Sequence, residues 1–265
     1  MLMVRSNYGT PIMPTLFGAQ LFIMPDETDT LPASHAVDGG GVEVAQRLLA
    51  RGIPSLDQPY LQRVFDAGRR FMAVKRRYPN IGRHVFIYHP DLQGPLDICE
   101  MIWGSQLFLD LYDHADVVHA FLDLITRTYI HVLREWEKIA PFETDSWAPH
   151  WGIMHPGRIM LRDDSAMNLS PEMFREFVLP YDQRLIAEFG GGAMHACGKV
   201  DHFAPFLADI QGVSAFNMSQ PELNDVEKVL QNTIDRGLLL FNLKPAAAQA
   251  ALARGRNLHG RVHCS

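Results

Sequence analysis

Short apolar runs alternate along this chain with amphipathic helical stretches, and that alternation is the signature of a parallel α/β fold. Strand candidates lie near Val85–His89, Phe142–Trp147, Ala193–Cys197, Val213–Asn217, Leu238–Leu243 and Leu258–Cys264, with a seventh at Leu2–Asn7. The clearest helix is expected from about Asp116 to Ile139. There Val118, Phe121, Leu122, Ile125, Tyr129, Val132, Leu133 and Trp136 recur at spacings of three and four and form one apolar stripe. A second opens at Ser170-Pro171-Glu172, a capping hydroxyl followed by proline at the first helical position, and Pro180 should interrupt it. A third is expected over Pro221–Arg236, stopped by Gly237. A (β/α)8 barrel closes with eight strands, so seven candidates leave it one short. In such barrels the chemistry gathers at the C-terminal ends of the strands. His89, Trp147, Cys197, Asn217, Lys244 and Cys264 would then approach one rim.

Composition narrows the partners. The 265 residues show neither a low-complexity linker nor an internal repeat, so a single domain over 1–265 is expected. A formal charge of −6 argues against nucleic acid, whose binders carry a basic face. No apolar run approaches the roughly 18 residues of a membrane span. The opening "MLMVRSNYGT" lacks the basic region and apolar stretch of a signal peptide. Three cysteines, Cys99, Cys197 and Cys264, are odd in number and sparse, which fits a reducing cytoplasm better than a disulfide framework.

The stretch "GGGAMHACGKVDHF", residues 190–203, carries the most chemistry. Strand geometry sends residues i and i+2 to one face, so His195 and Cys197 point the same way and Ala196 the other. A His nitrogen and a Cys thiolate are good zinc (Zn2+) ligands, and a third protein ligand would leave one coordination position open. Cys264, ending the last strand candidate, could supply that ligand. The same spacing also fits an ordinary buried strand end, since buried thiols and single histidines are common in cores.

"MHACGKVDHFAPFLADIQGVSAFNMS" resembles the "HxCG" segment of the uroporphyrinogen decarboxylase superfamily, specifically its zinc-dependent corrinoid methyltransferases of the methylcobamide:coenzyme M type. "DDSAMNLSPEMFREFVLPYDQRLI" and "DLQGPLDICEMIWG" extend the likeness, and the 163–200 block is its most specific part. The resemblance implies a TIM (β/α)8-type barrel and zinc held by His195, Cys197 and Cys264. It further implies a methyl-corrinoid as co-substrate, carried on a separate corrinoid protein, and a small-molecule thiol or similar acceptor. The decarboxylases themselves differ. Their "RQAGR"-type segment is absent, "VRSNYGT" stands where an early aspartate is expected, and "GRVHCS" replaces a Gly-His turn. Family members are typically longer at both ends, so the barrel is expected to lack its first β/α unit and last helix.

Supporting residues follow from position. Asp163 and Asp164 precede the Ser170 helix. A carboxylate there could be a zinc ligand, a partner orienting His195, a substrate contact or a solvated loop acid. Gln93 and Gly94 are candidate cofactor contacts, Gly94 through close backbone approach, although a plain turn fits equally. Asn217 and Lys244 could position a polar group of the cofactor or substrate. His150 and His155 flank a Trp-containing loop and read as surface or packing residues, while Met13, Cys99 and Trp103 read as core. Two rivals to methyl transfer remain. One is a cofactor-independent decarboxylase or other lyase working through Asp164 and His263. The other is a non-catalytic corrinoid- or tetrapyrrole-binding protein.

Overall fold

A computed structural model describes residues 1–265 and divides them into two compact units. The first comprises 1–143 with 149–153, the second 144–148 with 154–265. The change from one to the other falls within ordered strand and turn, consistent with a sequence that shows no linker.

In the first unit, strand β1 (Leu2–Val4) pairs in parallel with a later strand, while β2 (Leu21–Phe22) and β3 (Ala33–Ser34) form a short antiparallel hairpin. Four helices follow β1 in chain order: α1 (Ile12–Leu16), α2 (Val42–Arg51), α3 (Pro59–Arg77) and α4 (Pro79–His84). Next come β4 (Val85–Ile87), the partner of β1, then α5 (Pro95–Trp103), α6 (Leu107–Asp113) and α7 (Ala115–Ile139). Every member of the stripe read along α7 is buried. Gly68 of α3 lets the Trp136 ring approach, since a Cβ there would stand 2.6 Å from it. Met13, Cys99 and Trp103 are core residues as expected, and burial pushes the Cys99 thiol far above its ordinary range.

The chain passes between units through β5 (Trp147–His150) and β6 (Ile153–Pro156). The strand expected over Phe142–Trp147 is corrected by this placement. Thr144 Oγ1 accepts from the Ser146 and Trp147 N–H groups, so residues before Trp147 form a turn and extended pairing starts at its end.

The second unit is a parallel five-stranded sheet in sequential order: β7 (Ile159–Arg162), β8 (Gly192–Ala196), β9 (Val213–Met218), β10 (Leu239–Leu243) and β11 (Val262–Cys264). Residues of β7 and β8 are buried throughout, as strands covered on both faces must be. Of the strands outside the seven candidates, β2, β3, β6 and β7, it is β7 that belongs to this sheet. Its helices are α8 (Pro171–Phe177), α9 (Leu179–Glu188), α10 (Ala204–Leu207), α11 (Val226–Asn232) and α12 (Pro245–Ala253). Ser170 caps α8 by accepting from Met173 N–H at 3.2 Å, and the helix breaks at Val178 so that Pro180 lies in the first turn of α9. The helix expected over Pro221–Arg236 is broken. Asp225 ends an initial 3₁₀ turn by capping α11 through Lys228 N–H, and Gly237, at φ 94°, closes the last turn.

Candidate metal centre

All strands of the second unit's sheet run the same way, so their C-terminal ends share one edge. On β8 that edge is His195-Ala196-Cys197. His195 stands opposite Asn217 of β9, its Nδ1–H donating to Asn217 Oδ1 at 2.7 Å. That bond assigns the proton to Nδ1 and turns the Nε2 lone pair toward Cys197, whose Sγ lies 3.6 Å away. The i, i+2 geometry read from the sequence is therefore present.

Asp164, just beyond β7, joins them. Its Oδ1 accepts from Cys197 N–H at 2.8 Å and lies 3.6 Å from His195 Nε2. One donor atom from each of Asp164, His195 and Cys197 lies within 4.8 Å of the other two, a set of oxygen, nitrogen and sulfur suited to zinc. Ser219, beyond β9, borders the same point, with Oγ 3.4 Å from Cys197 Sγ and 3.5 Å from His195 Nε2.

The loop after Cys197 is fixed by side chains. Gln220 accepts from Gly198 N–H, and Asn224 accepts from Val200 and Asp201 N–H while donating to Gly198 O. Gly198 has φ 77°, a left-handed backbone that favours glycine directly after Cys197. Ser219, Gln220 and Asn224 were not singled out from the sequence. Their signal was only the polar run "SQPELN" after a strand.

Other expected site residues are placed differently. Cys264 is exposed at the end of β11 and is not among the clustered donors. It nevertheless occupies the same sheet edge. The next residue, Ser265, donates through Oγ to Asn242 Oδ1, and Asn242 Nδ2 donates to Met218 O at 2.8 Å and Ser219 O at 3.4 Å. His263 is exposed beside Phe241 and also lies outside the cluster. Asp163 is buried, its N–H bonded to His195 O at 2.9 Å. Asn217, a candidate cofactor contact, has His195 as its partner. Lys244 is exposed at the start of α12.

Gln93 and Gly94 belong to the first unit. Gly94 has ordinary backbone, φ −83°, and opens α5, so no special conformation calls for glycine there. Buried Gln93 carries the left-handed φ of 61° and donates to Asp91 Oδ1 at 2.6 Å, while Arg5 bonds Asp91 Oδ2 at 3.1 Å. Also in the first unit, His89 and His150 are buried with their Nε2 atoms 3.0 Å apart. His89 Nδ1–H donates to Pro90 O, so His150 Nε2–H must donate to His89 Nε2. His155, in the second unit, is also buried, and desolvation, opposed by its bond to Pro156 O and reinforced by Arg162, lowers its pKa to about 4. Packing is confirmed for both loop histidines, and a surface position is not.

Residues 157–254, which hold the Asp164, His195 and Cys197 cluster, match the family model described as Uroporphyrinogen decarboxylase (URO-D). Among solved structures, a methyltransferase from Methanosarcina mazei aligns at a TM-score of 0.67 and 15% identity, over 99% of this chain and 74% of that one. A comparison with proteins of curated function returns no match. The likeness in structure is one of fold. It bears out the α/β class of TIM-barrel type, and the family match meets the resemblance seen in the 163–200 block. No helix is long and apolar enough to cross a membrane.

Proposed function

We propose that this protein is a zinc-dependent methyltransferase that moves a methyl group from a methyl-corrinoid to a thiol or similar small-molecule acceptor. The observation carrying the reading is the convergence of Asp164, His195 and Cys197 at the C-terminal edge of a parallel sheet, where this class of fold places its chemistry. Bound zinc would supply the Lewis acidity that lets an acceptor thiol shed its proton near neutral pH. The protein's own part is positional. Asn217 holds the His195 ring and tautomer, Cys197 offers a thiolate, and Gln220 and Asn224 keep the following loop from yielding. Cys264, at the same edge, is the sulfur that the family resemblance adds to the ligand set. In the transfer a sulfur–carbon bond forms, the carbon–cobalt bond breaks with its electron pair left on cobalt, and the thiol proton passes to solvent. A separate corrinoid protein is the proposed methyl carrier, in a cytoplasmic setting.

Uroporphyrinogen decarboxylation is the second reading, favoured by the description of the matching family model. It receives less support from the site, because His263 stands outside the group around Asp164. The test is metal content together with turnover. Protein purified without chelator should hold about one zinc per chain and demethylate methylcobalamin in the presence of 2-mercaptoethanesulfonate. His195→Ala and Cys197→Ser should abolish both. Metal-free protein that releases CO2 from uroporphyrinogen III would overturn the proposal, and so would retained tetrapyrrole without zinc or turnover.

A further inference from the structure

The first unit carries two exposed patches of opposite charge, each with apolar side chains beside it. The β2–β3 hairpin is one. Leu21, Phe22, Ile23 and Leu31 are exposed there, Ile23 to 71%. A two-stranded hairpin is marginal in water unless something packs on it, and clustered exposed apolar side chains mark interaction sites. Asp26, Glu27 and Asp29 form its tip, exposed and in no ion pair, and no Lys or Arg falls between Arg5 and Arg47. The outer face of α3 is the other patch. From Pro59 to His84 the chain holds seven Lys and Arg against one acid, in a molecule of net charge −6. Asp66 pairs with Arg69, and Glu143 with Lys75. Arg63, Arg70 and Arg77 are exposed and hold no carboxylate, Arg77 lying over the Tyr78 ring. They recur every seven residues, so they form one stripe with steps of about 10.5 Å. Half-buried Phe71 and exposed Val74 run beside it.

The patches adjoin. Tyr8, Arg63, Asp66, Ala67, Arg70 and Phe71 line a groove of about 310 Å³ on α3. Gly9, next to Tyr8, lies against the hairpin, since a Cβ there would stand 2.6 Å from Pro32 O and 3.1 Å from Leu31 Cβ. We infer that a second copy of this chain docks here, the hairpin of each copy lying on α3 of the other. Neighbouring patches of opposite sign are self-complementary about a two-fold axis between them, which makes the contact twice and closes the pair. Hairpin on hairpin, or α3 on α3, would instead oppose like charges. The carboxylates of Asp26, Glu27 and Asp29 meet the arginine stripe, where a guanidinium fork takes a carboxylate through two bonds. The apolar side chains of the hairpin cover Phe71 and Val74.

Sedimentation velocity of the full-length chain tests this. The wild type should be a dimer in low salt that dissociates as salt rises. Asp26→Lys with Asp29→Lys should weaken the dimer at least about 100-fold, and so should Arg70→Glu with Arg77→Glu, because each pair sets like charges against one another in both contacts. All four positions are exposed, so both variants should fold, which circular dichroism checks. Mixed in equal amounts, the two variants should recover a dimer of near wild-type affinity, since both contacts of the mixed pair again join opposite charges. Phe22→Ser with Ile23→Ser, which alters no charge, should also give monomer. A wild type that stays monomeric overturns the inference, whether the surface then retains an acidic protein, a nucleic acid or an anionic vesicle. A dimer that the charge variants leave intact overturns it too, and so does a mixture that remains monomeric.

Discussion

Cys197 is surrounded by groups from three successive strands: Asp164 after β7, His195 on β8 and Ser219 after β9. Part of this was legible from the sequence. The two-residue period of a strand sufficed to set His195 and Cys197 on one face, and Asp164 stood out as an acid at the start of the resembling block. Ser219 was not legible, because its place depends on register. Only the pairing of His195 with Asn217 brings Cys197 level with Ser219, and no local pattern states that alignment. Register also gives Asn217 its role. Asn217→Ala removes the acceptor of His195 Nδ1–H, so both tautomers become accessible and Nε2 is no longer reserved as a donor. Zn2+ affinity should fall roughly 10- to 100-fold with little change in the metal-free melting temperature. Asn217→Asp, which keeps an acceptor there, should restore most of it. Unchanged affinity in Asn217→Ala would remove the residue from the centre.

Among the elements, long periodic helices were legible and short strands much less so. The α7 stripe and the Ser170 cap follow from spacing and from a hydroxyl before Pro171. In contrast, β7 is four residues long, buried on both faces and ends in Arg162, so it carries no alternation to read. Beside it, Gly157 makes a close backbone approach. At φ 89°, a Cβ there would lie 2.3 Å from Gly192 N and 2.4 Å from Gly191 C, both backbone atoms that cannot step aside. Gly190 has a similar φ of 75° but open space around its Cβ position. The pair separates conformational strain from collision. Gly190→Ala should cost about 1–2 kcal/mol for the left-handed backbone alone. Gly157→Ala adds the clash and should cost at least about 3 kcal/mol, enough to lower soluble yield. Urea unfolding of both variants checks the contrast, and equal midpoints would mean that the β7–β8 approach is loose. At the start of α8, Ser170→Ala should cost about 1 kcal/mol by the same measurement.

Across the whole molecule, buried histidine couples folding to pH. His155 has no solvent exposure, its Nδ1–H is bound to Pro156 O at 2.9 Å, and Arg162 adds positive charge. Its folded pKa is lowered from 6.5 to about 4, mainly by desolvation. Below pH 6.5 the unfolded chain takes up a proton that the folded chain refuses. Stability is therefore fully present above about 6.5, declines as pH falls and stops declining below about 4. Over that window the loss approaches about 3 kcal/mol, and from pH 7.5 to pH 5 it is about 2 kcal/mol. His155→Gln keeps a donor for Pro156 O but cannot titrate. Its urea stability should change by about 2 kcal/mol less than the wild type's between those two pH values. Chelator must be present throughout, because a bound ion would link stability to pH through its own ligands and add a slope of its own. If wild type and His155→Gln lose stability in parallel under chelation, the acid sensitivity belongs to other groups and His155 is a neutral packing residue in both states.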